Sequence, residues 1–439
     1  MRAQLTHLLY KVRTGFWFVP AVLLIAAVAT SWVSVRIDGA AASTLETVWR
    51  DLNLHIGATG ARALLTTIAA SMITVASLVF SMTLVTMTLA STQFGPRLLE
   101  RFMGDRVTQI ALGTFLATFV FCIAVLLTIS EEENTKEPIL SVLVAVLLAV
   151  LSFGLLIAYI HRVAVTIRAD SILARVESDM HAIMSDLLQD LSEDEAAEEG
   201  EDKVDTGDRK RFMLTAPADG YVQFIDHATL VGTAVEDDLF VRMRHRPGHY
   251  VVKGAPLAEV WAETEPSTAC RQTMTRAVTF GAQRTLTQDM EFAISTLVEI
   301  AVRALSPGVN DHNTAITVVD RLTSALAFAL RRGLPQSIIR GEDGAARVAL
   351  SRISYEGLFD LAFHEIRQCA GDAVPVLIRQ IESLIALSDF VRNDAQRRVL
   401  EKHAGILARA ARREDREQCD RGDMEYRLET LEEALKSGH

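Results

Sequence analysis

Residues 138–160 read PILSVLVAVLLAVLSFGLLIAYI, twenty-three positions without a charged side chain. As a helix rising about 1.5 Å per residue, this run would be roughly 35 Å long, against a bilayer hydrocarbon core of about 30 Å. An unbroken apolar surface of that length is read as a membrane span. Working outward from it toward the N-terminus, three more runs of the same kind appear, from about Phe16 to Val35, Ala61 to Ala90 and Val107 to Ile129. Beyond Arg162 no comparable run occurs, and charged residues are interspersed throughout. The mean hydropathy of +0.23 coexists with 23% charged residues for that reason: the two kinds of residue are segregated along the chain. The expected fold class is therefore mixed. A polytopic α-helical membrane domain of about four spans precedes a cytoplasmic α+β region that holds a small β-barrel-like module and a helical domain.

Orientation follows from the loops. Arg2, Lys11, Arg13, Arg97, Arg101 and Arg106 flank one side of the spans, whereas residues 130–137 read SEEENTKE. Positively charged loops stay inside, which places both termini in the cytoplasm. The first apolar run is long for a cleaved signal peptide and is followed by further spans, so it reads as a retained anchor. A net charge of -11 and the lack of a basic stripe exclude sequence-independent nucleic-acid binding. Cys122, Cys270, Cys369 and Cys419 are isolated and form neither a disulfide frame nor a zinc-ligand pattern. No metal or cofactor is expected, and the lipid bilayer is the first partner.

The second span is unusual. Thr67, Ser71, Thr74, Ser77, Ser81, Thr88 and Thr92 fall on one broad stripe at 100° per residue. Two readings stand side by side. Small hydroxylated residues allow close helix packing, or Thr67, Ser71, Thr74, Ser81, Thr88 and Thr92 line a wetted passage. Gly95 and Pro96 then break the helix as a hinge, followed by a short amphipathic piece from Arg97 to Met103. No charged residue occupies the central depth of a span, which removes the carrier that a proton relay or voltage sensor needs.

The membrane domain is assigned to residues 1–163. Residues 164–191 form an amphipathic helix, with Ile172, Val176, Met180, Ile183, Leu187 and Leu191 at three- and four-residue spacing, readable as a stalk or as a helix packed on its own domain. Residues 192–210, strongly acidic and nearly free of apolar side chains, are a linker. Residues 211–262 switch to short strands punctuated by Gly220, Gly232, Gly248 and Gly254. Their phrasing resembles a barrel-sandwich hybrid, the small β-fold of biotinyl and lipoyl carriers. Lys253 lacks a carrier-lysine context, so the resemblance implies a structural or sensing module only. Residues 263–439 are expected to be helical.

The most distinctive segment is GAQRTLTQDMEFAISTLVEIAVRALSPGVNDHNTAITVVDRL, residues 281–322. It reads as two helices joined by a tight turn. Ser306, Pro307 and Gly308 end the first, and Asn310 or Asp311 caps the second. Arg284, Asp289, Arg303, Asp311 and His312 form a candidate cluster. Either the arginines and carboxylates are a buried network that fixes the helix pair, or Arg284 and Arg303 clamp a carboxylate or phosphate, with Asp311 orienting or capping and His312 titratable.

Together with SLVFSMTLVTMTLASTQFGPRLLERFMGDRVTQIALGTF, residues 77–115, this segment resembles the bacterial family known as predicted membrane protein, domain of unknown function (DUF) 2254. The likeness covers nearly the whole chain. His312 departs from it, because NDHNTA stands where the family pattern has NDP.TA, with proline at the histidine's position. The resemblance implies a bacterial inner-membrane protein with a cytoplasmic domain and implies no activity. In SYEGLFDLAFHEIRQCA, residues 354–370, Gln368 stands four residues after His364, so the HExxH zinc pattern is absent. His364 reads as an ordinary helix residue. With no nucleophile–base pair and no nucleotide or kinase motif, the chain is not expected to be an enzyme. An oligomeric channel or transport protein, passing an inorganic ion and gated or assembled by its cytoplasmic domain, is the leading expectation. The alternative is a membrane-anchored sensor or enzyme binding a small anion at the RALSPGVND turn.

Overall fold

The computed structural model describes residues 17–40, 58–94, 106–129, 138–166, 169–188, 204, 206–335, 337–351, 353–413 and 416–437. It divides into two compact units, residues 1–171 and 172–439. The hinge residues Gly95 and Pro96, the amphipathic piece 97–103, the loop 130–137 and most of the acidic linker lie outside the described residues. So does the side chain of Thr92.

The first unit is four helices: α1 (Phe18–Ala40), α2 (Ala58–Phe94), α3 (Arg106–Leu126) and α4 (Ile139–Thr166). Each is long and apolar enough to cross a membrane. α3 is the central one, with 61% of its most apolar stretch buried against 22% for the other three. Its Gly113 explains part of that position. A β-carbon there would stand 2.8 Å from Leu23 Cδ1 and 2.9 Å from Pro20 Cα, so only glycine lets α3 come this close to α1. Phe115, Phe121, Cys122 and Val125 of α3 fill the space between Leu65, Ala69 and Met72 of α2 and Val142 and Ala145 of α4.

Several buried polar groups of this unit find their partners within it. Asp38, 5% exposed near the end of α1, accepts the amides of Leu140 (2.8 Å) and Ser141 (3.0 Å) and the Ser141 hydroxyl (2.6 Å). These amides lie in the first turn of α4, where no intrahelical acceptor exists. The carboxylate thus caps a neighbouring helix end from across the bundle. Tyr159 of α4 donates to the Val79 carbonyl at 3.1 Å and meets the Thr83 hydroxyl at 2.8 Å.

The second unit opens with α5 (Ala169–Leu187), whose Leu173, Val176, Met180 and Met184 are buried. Strands follow: β1 (Lys210–Thr215), β2 (Gly220–Ile225), β3 (Phe240–Met243), β4 (Tyr250–Val251) and β5 (Pro256–Ala262). Two helices are inserted, α6 (His227–Glu236), which the strand pattern did not foretell, and α7 (Thr268–Arg276), which lies in the stretch expected to be helical; Asp226 and Ser267 start them as side-chain caps. Three further strands, β6 (Val278–Gly281), β7 (Ile338–Arg340) and β8 (Ala346–Ala349), come from the stretch expected to be helical. They form two open sheets, β1-β5-β3-β8-β7 and β4-β2-β6, antiparallel except for the β3–β8 pair. The arrangement is thus two sheets with α6 and α7 around one core of Val222, Leu230, Val241, Leu257, Met274 and Val348. The late strands were illegible because each is at most four residues, too short to show a period.

The rest of the unit is helical: α8 (Met290–Ala304), α9 (His312–Arg332), α10 (Tyr355–Ala370), α11 (Val374–Ser388), α12 (Asp394–Ala411) and α13 (Gln418–Ser437). α5 packs on α9, where Arg321 donates to Glu177 at 2.5 Å and His181 meets the edge of Phe328. Buried glutamines tie the layers: Gln380 donates to the Phe363 carbonyl and Gln396 to that of Leu330.

Candidate functional site

On α2, the packed face is Ala61, Leu65, Ala69, Met72, Ala76 and Val79, all nearly fully buried. Counting 100° per residue, Thr67, Ser71, Thr74, Ser81 and Thr88 lie on the opposite face, and all five are exposed in the single chain. Thr67, Ser71, Thr74 and Thr88 each donate to the carbonyl four residues earlier, at 2.8 to 2.9 Å. The hydroxyl protons are therefore used by the helix itself, and the oxygen lone pairs remain outward. Leu78 and Val85, both exposed, interrupt this face.

The cluster of charged residues around the 281–322 segment does not converge. Asp289 is the N-cap of α8, and Arg303 lies in its last turn. At about 1.5 Å per residue, these positions are roughly 21 Å apart along the helix. The five residues accordingly divide into two groups. At the first end, Arg284 grips Asp289 with Nε–Oδ2 and Nη2–Oδ1 both at 2.8 Å and lies over the Phe292 ring. Asp289, whose side chain is 1% exposed, also accepts the Phe292 amide at 2.9 Å. Gly248, at φ +95, passes beneath this pair; a β-carbon there would come within 2.3 Å of Asp289 Oδ2. Beside it, Arg246 forms a second two-pronged pair with Glu291, at 3.0 and 2.6 Å.

At the other end, Arg303 donates to Glu299 at 3.1 Å. Asp311 caps α9, accepting the Thr314 amide (3.0 Å) and hydroxyl (2.6 Å). Those two bonds, the hydroxyl's first, hold its carboxyl below the usual carboxylate range. His312 meets Asn310 Oδ1 at 3.0 Å. The left-handed residue of the turn is Asn310 (φ +51), and Gly308 does not have a positive φ. Asparagine tolerates that conformation, so the permissive position lies two residues later than the glycine suggested.

A third cluster was not anticipated. Asp360 and His364 of α10 meet His403 of α12, with Asp360 Oδ1 3.4 Å from His364 Nε2 and 3.1 Å from His403 Nε2. This trio has the composition of a metal site, but the Lys402 ammonium stands 2.9 Å from both Asp360 oxygens. A cation is thus already supplied by the chain, and the trio is a closed ion-pair network. Burial pushes His403, 2% exposed between Phe359 and Phe363, down to about 4. Burial acts to raise the Asp360 carboxyl, but the Lys402 bond and the nearby positive groups outweigh it, and the net shift is downward. Sequence carried only the Asp360–His364 spacing of one helical turn; the partner helix was unreadable.

The four cysteines are free thiols, Cys122 and Cys270 buried, Cys369 and Cys419 exposed.

Comparison with known proteins gives the following. A family model described as predicted membrane protein (DUF2254) matches residues 13–386. Proteins of Mycobacterium bovis and Mycobacterium tuberculosis, both described as uncharacterized, are each 29% identical over 367 residues, covering 82% of this chain and 70% of theirs. No solved structure matches the chain.

Proposed function

From the premise that this chain belongs to the family of predicted membrane proteins DUF2254, we propose that it forms an oligomeric passage through a bacterial inner membrane, with both termini cytoplasmic. The observation that carries the reading is the hydroxylated face of α2. It lies opposite the packed face and is exposed in the single chain, so it is available to a second copy or to water but not to the interior of its own bundle. Lipid gains nothing from a row of hydroxyls, while several copies of this face around an axis would present rings of oxygen acceptors. Since the protons are donated inward, the rings suit cations better than anions. Leu78 and Val85 would supply apolar constrictions in the same passage. Gly95 and Pro96 follow as the hinge, and the other unit assembles or gates the whole.

The test is cation flux into sealed liposomes containing the full chain, with particle mass in detergent measured in parallel. Thr74→Leu is expected to abolish flux at unchanged mass. Flux equal to that of the parent chain, or a monomeric particle, would reject the passage.

A further inference from the structure

At the C-terminal ends of α10 and α12 lies a cavity of about 400 Å³ whose wall carries four arginines, Arg367, Arg409, Arg413 and Arg416, with Gln368 and Gly371. This is notable in a chain with a net charge of -11. Several arginines elsewhere in the same unit are neutralised by carboxylates, as in the Arg284–Asp289, Arg246–Glu291 and Arg379–Glu382 pairs. Here, among the described residues, Arg367, Arg409 and Arg416 have no carboxylate partner. Arg416 is 7% exposed; its Nη2 donates to the Gly371 carbonyl at 3.0 Å, which fixes the guanidinium, while its Nε–H has no acceptor. The Arg367 Nε–H is also buried without one.

Guanidiniums gathered on one concavity with no carboxylate beside them leave an uncompensated positive charge there. Planar two-pronged donors match the oxygens of phosphate and carboxylate groups, and several converging on one concavity select for more than one negative charge. The volume falls within the range of small-molecule sites and exceeds what a single inorganic anion fills. We propose that this cavity binds a small phosphate-bearing polyanion. The site is separate from the membrane passage and does not rest on it. It also differs from the 281–322 turn, where the charges are already paired.

The experiment is a calorimetric titration of the full chain in neutral detergent with inorganic pyrophosphate, at constant ionic strength. A parallel arm uses phosphatidic acid in mixed micelles. Saturable binding of pyrophosphate is expected, weakened about tenfold or more by Arg409→Gln, since losing one charge-assisted donor is worth that much. Arg409 makes no hydrogen bond or ion pair among the described residues, so this variant keeps the fold; Arg367→Gln serves as an independent second variant. Heat from the lipid arm alone, with the same loss on substitution, assigns the site to a headgroup phosphate. Absence of saturable binding in both arms, or binding indifferent to both substitutions, would overturn the proposal.

Discussion

The two units solve the same problem, buried polar groups, by opposite means. In the four-helix unit the polar side chains are short and bond to backbone. Thr118 and Ser152 return their hydroxyls to carbonyls of their own helices, and Asp38 covers the free amides of α4. In the other unit charged side chains also bond to each other, through pairs such as Arg284–Asp289 and the Lys402–Asp360–His403 group. The contrast follows from solvent. A paired charge tolerates partial burial when water is near, whereas a span has no water to relieve a mismatch, and backbone is the partner always at hand. A single lost partner should therefore hurt most where charges are paired. Backbone approach, in turn, should matter most where charges are missing.

The largest effect is expected from Arg284→Ala. It strands the Asp289 carboxylate, 1% exposed, with only the Phe292 amide, and removing one member of a buried pair costs about 3–5 kcal/mol. Thermal unfolding of the full chain in detergent should show an early transition of the second unit. A change within about 0.5 kcal/mol would mean that the pair contributes no more than a surface contact.

Next comes pH. His403 is held at about 4 against an ordinary 6.5, so the folded state resists the proton that the unfolded chain accepts. Stability is then fully present above pH 6.5 and falls as pH drops toward about 4, by on the order of 3 kcal/mol. The groups facing this imidazole are Asp360 and His364 on α10 and its neighbour Lys402. Asp360, held low, stays ionised through most of that window. His403→Phe, set among Phe359 and Phe363, should flatten the dependence of the unfolding midpoint on pH. A dependence that persists unchanged would assign it to other groups.

The smallest effect sharpens the comparison from the membrane side. Gly113→Ala should part α1 from α3 and cost about 1–3 kcal/mol, the range for overpacking. Loss of α1–α3 proximity, read by cross-linking between cysteines placed on the two helices, would accompany it. An unchanged cross-link would show that the α1–α3 contact accommodates the β-carbon without parting.

The spans were legible because a bilayer imposes one length and one composition on each segment separately, so the four runs needed no partner to be recognised. The 281–322 turn was legible as helix, turn and cap, since Asp311 acts on an amide three residues away, whereas Asp289, read as part of the first helix, is its N-cap. The proposed clamp was not: Arg284 is held by Asp289 at the start of α8, and Arg303 lies in its last turn, roughly 21 Å farther along the helix. The second unit's sheets were half legible, β8 joining β3 across about a hundred residues. The arginine cavity was invisible, because Arg367 and Arg409 lie on different helices and nothing local marks them as neighbours.

The sequence by itself determined the membrane class, the capped turn and the hydroxylated stripe of α2, all properties of single segments governed by composition and period. Tertiary structure alone decided that the stripe faces away from its own bundle, which charges are paired, and which arginines share a cavity. Those depend on which faces of distant segments meet, and that is fixed by packing the whole core rather than by any local pattern.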